Sequence, residues 1–566
     1  RYGSSAASDV YKRQRLLFLL CVCVSMHMHS EELLEVLEGK KRLSSSINFN
    51  ELPKLSTEEN GPDFSGKLTI NKRPKGFGVT VLRDEKGLHS DKNFTVFPVD
   101  AISLSSVEGI IVPEVKIDLT TDHPYFNFHA GLGTNKKLKN SNKTLITIPF
   151  SFLQKNANCV HNGIMLAVYD GKTVLNTALQ ISSETCAYYK FDYIALHETR
   201  LQKNDVKNLI PGNKILAETK TTPINALYSA YDIETKVFAD SENFIQENVS
   251  LYGLIDKNIH YSSSCQTRKG PYPLCSQMLL PSYSLAKSLA GTLGIALVEN
   301  NYGNVSKIPV SAVVKECKGK KWQDVSVEDL SDMATGNFIN PIFDLDEGGL
   351  KQIGFIFDKL TYSEKINLDC SAYPRKSKPG TRFVYHTSDT YILGKALNEY
   401  LVAKTGIEDY YTELLIPFFQ NLGMSYAVET PLRTEGEIEQ PYTGWGMYLL
   451  QDDLAKLSKF IHKQKYDKSE KFVFLKQVFK KPNNALVAIP DANIFYNNGF
   501  WLRKYNNGTF GCKEDTWVPF MSGFGGITLA FLPNDMTYYY FSDGYTFAWD
   551  SAVFAANEIK PFCKIN

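Results

Sequence analysis

The sequence predicts an α+β protein in which a smaller β-rich unit precedes a larger unit made of an antiparallel sheet and helices. In residues 66–190, apolar and polar residues alternate in short runs, which is the pattern of half-buried strands. After Ser284 apolar residues recur at helical spacing, and residues 527–541 return to two strand-like runs before a last helical segment. Helices before, inside and after an antiparallel sheet form an α+β domain with a helical subdomain.

Length and charge narrow the possible functions. A chain of 566 residues is too long for one ordinary core and indicates two domains with flanking segments. The chain has 62 Lys and Arg residues against 61 Asp and Glu residues. Because the charges nearly cancel, nothing favours nucleic acid or an acidic membrane surface as a partner.

Residues 1–30 have the features of a leader and a signal peptide. Residues 1–14 show no periodicity and are taken as a non-native leader. Arg15 and the apolar run 16–24 have the n-region and h-region of a secretory signal, with cleavage expected between residues 25 and 30. About ten apolar residues cannot span a bilayer, so a signal peptide is favoured over a buried helix or an anchor. We therefore expect a secreted protein without a stable membrane anchor.

Cysteine usage agrees with export. An even number of cysteines, without a Cys-x-x-Cys motif or clustered histidines, favours disulfides over zinc in a secreted chain. Several connectivities are possible, but short loops close most easily. The expected pairs are Cys159–Cys186, Cys265–Cys275, Cys317–Cys370 and Cys512–Cys563. Glycan acceptors are expected at Asn93, Asn142, Asn248, Asn304 and Asn507.

Composition divides the chain before the nucleophile into three parts. Residues 31–65 are polar and are predicted to be a mobile lead-in after a short helix near 31–40. Residues 66–190 are predicted to form a β-sandwich. This unit could capture substrate or pack against the catalytic unit, and packing is favoured because no aromatic or acidic cluster marks a binding surface. Residues 191–215, rich in Asn and charged groups with a Pro-Gly pair, are predicted to be a linker.

Individual elements follow from local patterns. An Asp-Gly pair at 170–171 separates two apolar runs and predicts a tight hairpin. Further strands are predicted at 78–82, 115–119, 145–149, 226–231, 249–254, 527–532 and 537–541. Helical segments are predicted at 328–333, 348–360, 456–465 and 549–558.

The nucleophile is predicted at Ser284, in the first turn of a largely buried helix. Residues three apart on a helix are neighbours, so the Lys287 amine can reach the Ser284 hydroxyl. The helix N-terminus adds positive potential that favours a developing alkoxide. Ser-x-x-Lys arises by chance about once or twice in a chain of this length. Here it occurs once, at a predicted helix start, which favours a functional role.

This segment resembles the active-site helix of the serine beta-lactamase, penicillin-binding-protein and esterase superfamily, in particular its class C-like branch. The resemblance covers residues 215–563 approximately and appears at several points in the family's order. The further matching segments are Trp322–Leu330, Met333–Gly336, Pro379–Tyr391 and Gly523–Gly526. The resemblance implies a beta-lactamase-like fold for residues 216–566.

The resemblance also implies catalytic roles. In the family a Lys and Tyr pair takes the proton from the serine, which transfers here to Lys287 and Tyr385, with either of them as the base. Proton transfer through a tyrosinate requires a lowered pKa of the phenol, which a nearby ammonium can provide. Two residues after the tyrosine the family usually has Asn or Ser, and this chain has Thr387.

The segment Gly523–Gly526, called the third motif below, supplies the remaining implied residues. By resemblance, the backbone NH groups of Ser284 and Ile527 form the oxyanion hole, and Gly525 and Gly526 let the substrate approach the backbone. The family commonly has Lys or His where this chain has Phe524, so an apolar ring replaces a group that binds the substrate's carboxylate.

Two functions compete. The first is a secreted serine hydrolase that cleaves an ester or amide bond of a small molecule or short peptide through a Ser284 acyl-enzyme. The second is a catalytically silent relative that acts as a binding protein. Retention of Ser284, Lys287 and Tyr385 favours the hydrolase. No metal and no cofactor are expected.

Overall fold

In a computed structural model, the described residues form two large sheets and thirteen α-helices, so the chain has the predicted α+β class. The described residues are 27–89, 94–113, 121–203, 221–233, 238, 248–480, 482–547 and 549–563. Residues 1–26 of the predicted leader and signal peptide, the strand at 115–119 and the sequon at Asn93 lie outside these ranges.

The first sheet contains eleven strands among the described residues. They are β1 (Ser56–Asn60), β2 (Phe64–Ile70), β3 (Gly76–Asp84), β4 (Ala101–Val107), β5 (Ile110–Pro113), β6 (Phe126–Ala130), β7 (Gly133–Leu138), β8 (Thr144–Gln154), β9 (Val160–Tyr169), β10 (Val174–Thr185) and β11 (Tyr189–Lys203). Their order is β1-β7-β5-β4-β2-β11-β10-β9-β8-β6, with β3 beside β11. The predicted hairpin is present between β9 and β10, with a loop of residues 170–173 that contains the Asp-Gly pair.

This sheet closes on itself because β7 pairs with β8 as well as with β5. Strands β8 to β11 are 10 to 15 residues long, and their inward side chains fill one apolar core. The N-terminal unit is therefore one closed sheet, and not the two facing sheets of the predicted sandwich.

The predicted lead-in and linker both contain ordered structure. Helix α1 (Ser30–Leu37) buries Leu33, Val36 and Leu37. This helix is the short helix predicted near 31–40. The mobile lead-in predicted after it was wrong over residues 52–60, which form a short helix and strand β1, because Leu52 and Leu55 are buried. The linker prediction was wrong over residues 191–203, which belong to β11 and alternate inward and outward side chains. Residues 204–215 lie outside the described ranges.

The second sheet has nine strands in the described part of the chain. They are β12 (Thr221–Pro223), β13 (Val249–Asp256), β14 (Ile259–Ser262), β15 (Leu486–Ile489), β16 (Ile494–Asn497), β17 (Phe500–Tyr505), β18 (Thr516–Gly523), β19 (Ile527–Phe531) and β20 (Met536–Ser542). Their order is β12-β14-β13-β20-β19-β18-β17-β16-β15. All pairs are antiparallel except β12 with β14.

Twelve further α-helices are present among the described residues, one in the first unit and eleven in the second. They are α2 (Leu52–Leu55) in the first unit and then α3 (Ile224–Tyr231), α4 (Leu293–Tyr302), α5 (Val310–Val313), α6 (Val327–Ser331), α7 (Leu350–Ile353), α8 (Tyr362–Ala372), α9 (Thr387–Thr405), α10 (Ile416–Asn421), α11 (Gln451–Tyr466), α12 (Val473–Lys480) and α13 (Asp550–Ile559). The strand predicted at 226–231 is helix α3 instead, because Ile224, Leu227 and Tyr228 form one buried helical face.

The two units share one core. A single apolar cluster includes Leu33 and Leu166 from the first unit together with Leu279 and Leu289 from the second. Buried ion pairs cross the same boundary: Lys190 Nζ lies 2.6 Å from Asp543 Oδ1, and Arg268 binds Glu184 at 2.5 Å. The N-terminal sheet is therefore part of the structure that supports the site.

All four predicted disulfides are present, with Cα–Cα distances of 4.9 to 5.4 Å. The pairs are Cys159–Cys186, Cys265–Cys275, Cys317–Cys370 and Cys512–Cys563. Within the described ranges, none of the helices has the length and hydropathy needed to cross a membrane.

Candidate active site

Ser284 lies between a tight turn and a buried helix. The chain enters from the two-residue strand Leu280–Pro281, which pairs with Tyr448–Leu449, and becomes helical at Leu285. Residues 287–292 form a wider π-helical turn that continues into α4. Such turns are frequent at functional sites. Ser284 is thereby half-exposed at the start of an otherwise buried helix, as predicted.

Two side chains meet the Ser284 hydroxyl. Lys287 Nζ lies 2.9 Å from Ser284 Oγ, and the Tyr385 hydroxyl lies 2.6 Å from the same oxygen. The Lys287 ammonium also lies 4.9 Å from the centre of the Tyr385 ring. The structure therefore brings together all three residues predicted to be catalytic.

Lys287 is buried and has two further partners. Its amine donates to Thr387 Oγ1 at 2.9 Å and to the Gly444 carbonyl at 3.1 Å. A Cβ at residue 444 would collide with Thr390 Oγ1, so only glycine lets the backbone of this segment lie close enough for the contact. Burial lowers the pKa of Lys287 to about 8, although attraction to Glu347 opposes the shift. A substantial share of the amine is then neutral near physiological pH.

Thr387 is held by a carboxylate that the sequence analysis missed. Its hydroxyl donates to Glu347 Oε1, and its backbone NH donates to Glu347 Oε2 at 2.8 Å. Because the hydroxyl proton goes to Glu347, a lone pair of Thr387 Oγ1 is left to accept from Lys287. Glu347 thus fixes the direction of the contact between Thr387 and Lys287.

The loop that carries Glu347 is anchored beside the catalytic tyrosine. Asp346 accepts from the backbone NH groups of Ile339 and Asn340 and forms an ion pair of 3.0 Å with His386. His386 stacks on Tyr373 with ring centres 4.1 Å apart. The loop and the Tyr385 segment are therefore held together by both charge and packing.

Tyr385 is enclosed by aromatic rings. Trp501 stacks on it at 5.7 Å, and Phe343 meets it edge-on at 6.1 Å. Burial, reinforced by the charge of Glu347, raises the pKa of Tyr385 well above its usual range. Enclosure thus outweighs the nearby lysine, so the lowered pKa that a tyrosinate base would require is not met.

The third motif lies farther from the hydroxyl. Phe524, Gly525 and Gly526 form the turn between β18 and β19, and the Phe524 ring contacts Tyr283 at 5.8 Å. The Gly525 and Gly526 carbonyls accept from the Ser542 hydroxyl. These contacts place the turn beside the residue that precedes the nucleophile.

Ile527, the expected second oxyanion donor, lies inside the sheet. It is fully buried and pairs with Gly523 on one side and Phe541 on the other. Its backbone NH therefore faces a neighbouring strand. The oxyanion role of Ile527 stays a prediction from resemblance.

Exposed apolar side chains occur on two of the segments that carry site residues. On the loop before Glu347, Ile339, Ile342 and Leu345 are each at least half-exposed. Near the third motif, Phe524 and Phe547 are about equally open to solvent, at 44% and 50%. Exposed apolar side chains that lie together often mark a binding surface.

One group of residues has the composition of a metal site. Among the described residues, Cys159, His161 and Cys186 form such a cluster. Both sulfurs belong to the Cys159–Cys186 disulfide. Because a cysteine binds metal as a thiolate, this cluster is a disulfide beside a buried histidine.

Comparisons with known proteins were made at three levels. No protein-family model matches the sequence, and no curated protein matches it. Among solved structures, the chain is similar to a protein from Bacillus anthracis described as a 6-aminohexanoate-dimer hydrolase. That protein has 16% sequence identity and a TM-score of 0.41 over 56% of this chain and 79% of its own.

The chain is also similar in structure to class C beta-lactamases. One, in complex with cefoxitin, has 15% identity and a TM-score of 0.37 over 56% of this chain and 93% of its own. Another has 14% identity and a TM-score of 0.38 over 61% of this chain and 95% of its own. The function proposed below rests on the residues of this chain.

Proposed function

We propose that the protein is a secreted serine hydrolase that cleaves an ester or amide bond through an acyl-enzyme on Ser284. The observation that carries this proposal is the environment of Lys287. A neutral amine has two N–H donors and one lone pair. The ammonium form donates to Ser284 Oγ at 2.9 Å. In the neutral form, Thr387 Oγ1 and the Gly444 carbonyl accept the two N–H donors, which leaves the lone pair for the Ser284 hydroxyl. The site thus contains a base that is aimed at a nucleophile.

In the first step Lys287 takes the Ser284 proton as Oγ forms a bond to the substrate's carbonyl carbon. Tyr385 donates a hydrogen bond to the same oxygen and stabilises its developing charge. When the tetrahedral intermediate collapses, the bond to the leaving group breaks and Lys287 returns the proton to that group. A water molecule then repeats the sequence on the acyl-enzyme and releases the acid. Assignment of the base to Lys287 follows from the opposite pKa shifts of Lys287 and Tyr385.

The substrate is proposed to be a neutral small molecule or short peptide whose acyl group is apolar. Phe524 stands at the third motif, and a free carboxylate buried against its ring without a partner would lose several kcal/mol, on the order of 2–7 for polar groups in general. The exposed apolar side chains around the site favour an apolar acyl group for the same reason. We therefore place nitrophenyl esters of short fatty acids above penicillins as model substrates.

Secretion and N-glycosylation remain part of the proposal. Four disulfides support an oxidising compartment. Asn142, Asn304 and Asn507 are exposed and suited to carry glycans. Asn248 is less suited, since it is half-buried and its side-chain oxygen accepts from Lys190 at 2.8 Å.

Labelling with a fluorophosphonate, followed by peptide mapping, tests the proposal. The expected result is one labelled residue, Ser284, and loss of the label in Ser284→Ala with little change in melting temperature. Ser288→Ala is the matched control, because it removes a buried hydroxyl from the same helix, bonded to the Gly499 carbonyl, and should keep the label. Label on another residue would rule out the mechanism. Absence of label from the folded wild type would support the silent binding protein.

A further inference from the structure

A polar side chain of the N-terminal unit, Asn158, reaches the segment that carries the nucleophile. Asn158 lies in the loop between β8 and β9 and is completely buried. The next residue, Cys159, is bonded to Cys186 in the loop between β10 and β11. Asn158 is therefore fixed to two loops of the closed sheet.

The side chain of Asn158 binds the turn that presents Ser284. Its oxygen accepts from the backbone NH of Tyr283 at 2.7 Å and from the Ser282 hydroxyl at 3.2 Å. Tyr283 has φ +39°, which is unusual for a residue with an aromatic side chain. Such a conformation persists only where surrounding groups hold it. The hydrogen bond to Asn158 is one of the contacts that hold Tyr283 in this conformation.

The same amide binds the segment that contacts Lys287. Its oxygen also accepts from the Gly446 NH at 3.0 Å, and its nitrogen donates to the Met447 carbonyl at 3.3 Å. Gly444, two residues earlier, supplies the carbonyl that accepts from Lys287. One side chain thus joins the segment that carries the nucleophile to the segment that orients the base.

We propose that Asn158 is a positioning residue for Ser284 and Lys287, so that the N-terminal unit and the hydrolase unit form one active site. This inference rests on the proposed function. Without the amide, Tyr283 can relax from its left-handed conformation, and Ser284 then moves relative to Lys287. A displacement of about 1 Å at a reacting group can lower a rate about 100-fold.

Asn158→Ala tests the proposal, with Asn162→Ala as the matched control. Asn162 belongs to the same unit and is also buried, and its amide binds the Leu279 NH at 3.1 Å and the Leu279 carbonyl at 3.0 Å. Both variants lose a buried amide that bridges the units, but only Asn158 binds the nucleophile turn. We expect kcat of Asn158→Ala for a nitrophenyl ester to fall about 100-fold with KM changed less than threefold, against less than fivefold in kcat for Asn162→Ala. Asn158→Asp keeps the acceptor oxygen and should recover part of the loss.

Amide hydrogen exchange tests the same inference without turnover. Peptides covering 281–286 and 443–448 should exchange faster in Asn158→Ala and stay protected in Asn162→Ala. If the two variants lose equal activity and show equal exchange there, the proposal is overturned. If wild type does not react with a fluorophosphonate, the proposed function fails, and the exchange comparison still decides whether Asn158 holds the turn.

Discussion

Replacement of Glu347 by Gln tests whether Lys287 is the general base. The Glu347 carboxylate attracts the Lys287 ammonium and keeps the pKa of the lysine higher than burial alone would set it. Gln removes the negative charge and keeps a side-chain oxygen that can accept from the Thr387 NH. The variant should therefore lower the pKa of Lys287 and keep the contact with the Thr387 NH, while the Gln NH₂ group replaces the oxygen that accepts from the Thr387 hydroxyl.

The size of the effect follows from the geometry. Lys287 Nζ lies 2.9 Å from Thr387 Oγ1, which hydrogen-bonds Glu347. With a usual O–H···O length, the charges are at most about 5.7 Å apart. At an effective dielectric constant of about 20, their attraction is about 3 kcal/mol, or about two pKa units. Glu347 is half-buried, and burial raises the pKa of its carboxyl. Partial solvent screening and partial protonation both reduce this figure, and we expect a shift of about one unit.

The assay is kcat/KM for a nitrophenyl ester between pH 5.5 and 9.5. In the wild type the rate should rise with pH through about 8, because only the neutral amine of Lys287 can take the proton. In Glu347→Gln the midpoint should move to about 7, since a lower pKa leaves more neutral amine at each pH. At pH 6 the variant should therefore reach about a tenfold larger fraction of its own plateau.

Glu437→Gln is the control for this experiment, since it removes the same charge from an exposed loop position. Its pH profile should match the wild type. A midpoint that stays at the wild-type value in Glu347→Gln would mean that Glu347 is uncharged in the working range or that Lys287 is not the base. A wild-type rate that still rises at pH 9.5 without a plateau would assign the base to a group of higher pKa, as expected for Tyr385.

Two further substitutions separate the remaining roles. Tyr385→Phe should lower kcat/KM by about 10² to 10⁴, because it removes the hydrogen bond to Ser284 Oγ, and should leave the pH midpoint unchanged. A loss below about fivefold in steady-state kinetics would remove Tyr385 from the mechanism. Phe524→Lys should shift the ratio of penicillin to ester hydrolysis towards penicillin, and an unchanged ratio would show that this position does not meet the substrate's carboxylate.

Patterns that depend on local spacing were predicted from the sequence. Ser284 and Lys287 are three residues apart, and their contact follows from helix geometry alone. The four disulfide pairings also follow from proximity along the chain, with separations of 10 to 53 residues. The terminal strands β19 and β20 and helix α13 were recognised because their apolar periodicities are long and regular.

Long-range contacts were not predicted from the sequence. Glu347 precedes Thr387 by 40 residues in an acidic, glycine-rich loop that contains no recognised motif. Asn158 precedes Tyr283 by 125 residues, and a single Asn before a strand gives no signal of a partner so far away. The raised pKa of Tyr385 has the same origin, since Trp501 and Phe343 enclose the phenol only after the chain has folded.

The arrangement of hydrogen-bond donors and acceptors in the site explains why five distant segments are needed. Lys287 acts as a base only when its two N–H groups have other acceptors, which Thr387 and Gly444 provide. Thr387 accepts from Lys287 only because Glu347 takes the threonine's own proton. The Gly444 segment and the Ser284 turn are joined in turn by Asn158 of the N-terminal unit. Each hydrogen bond therefore fixes the direction of the next, and the lone pair of Lys287 faces Ser284 as a result of the whole chain of contacts.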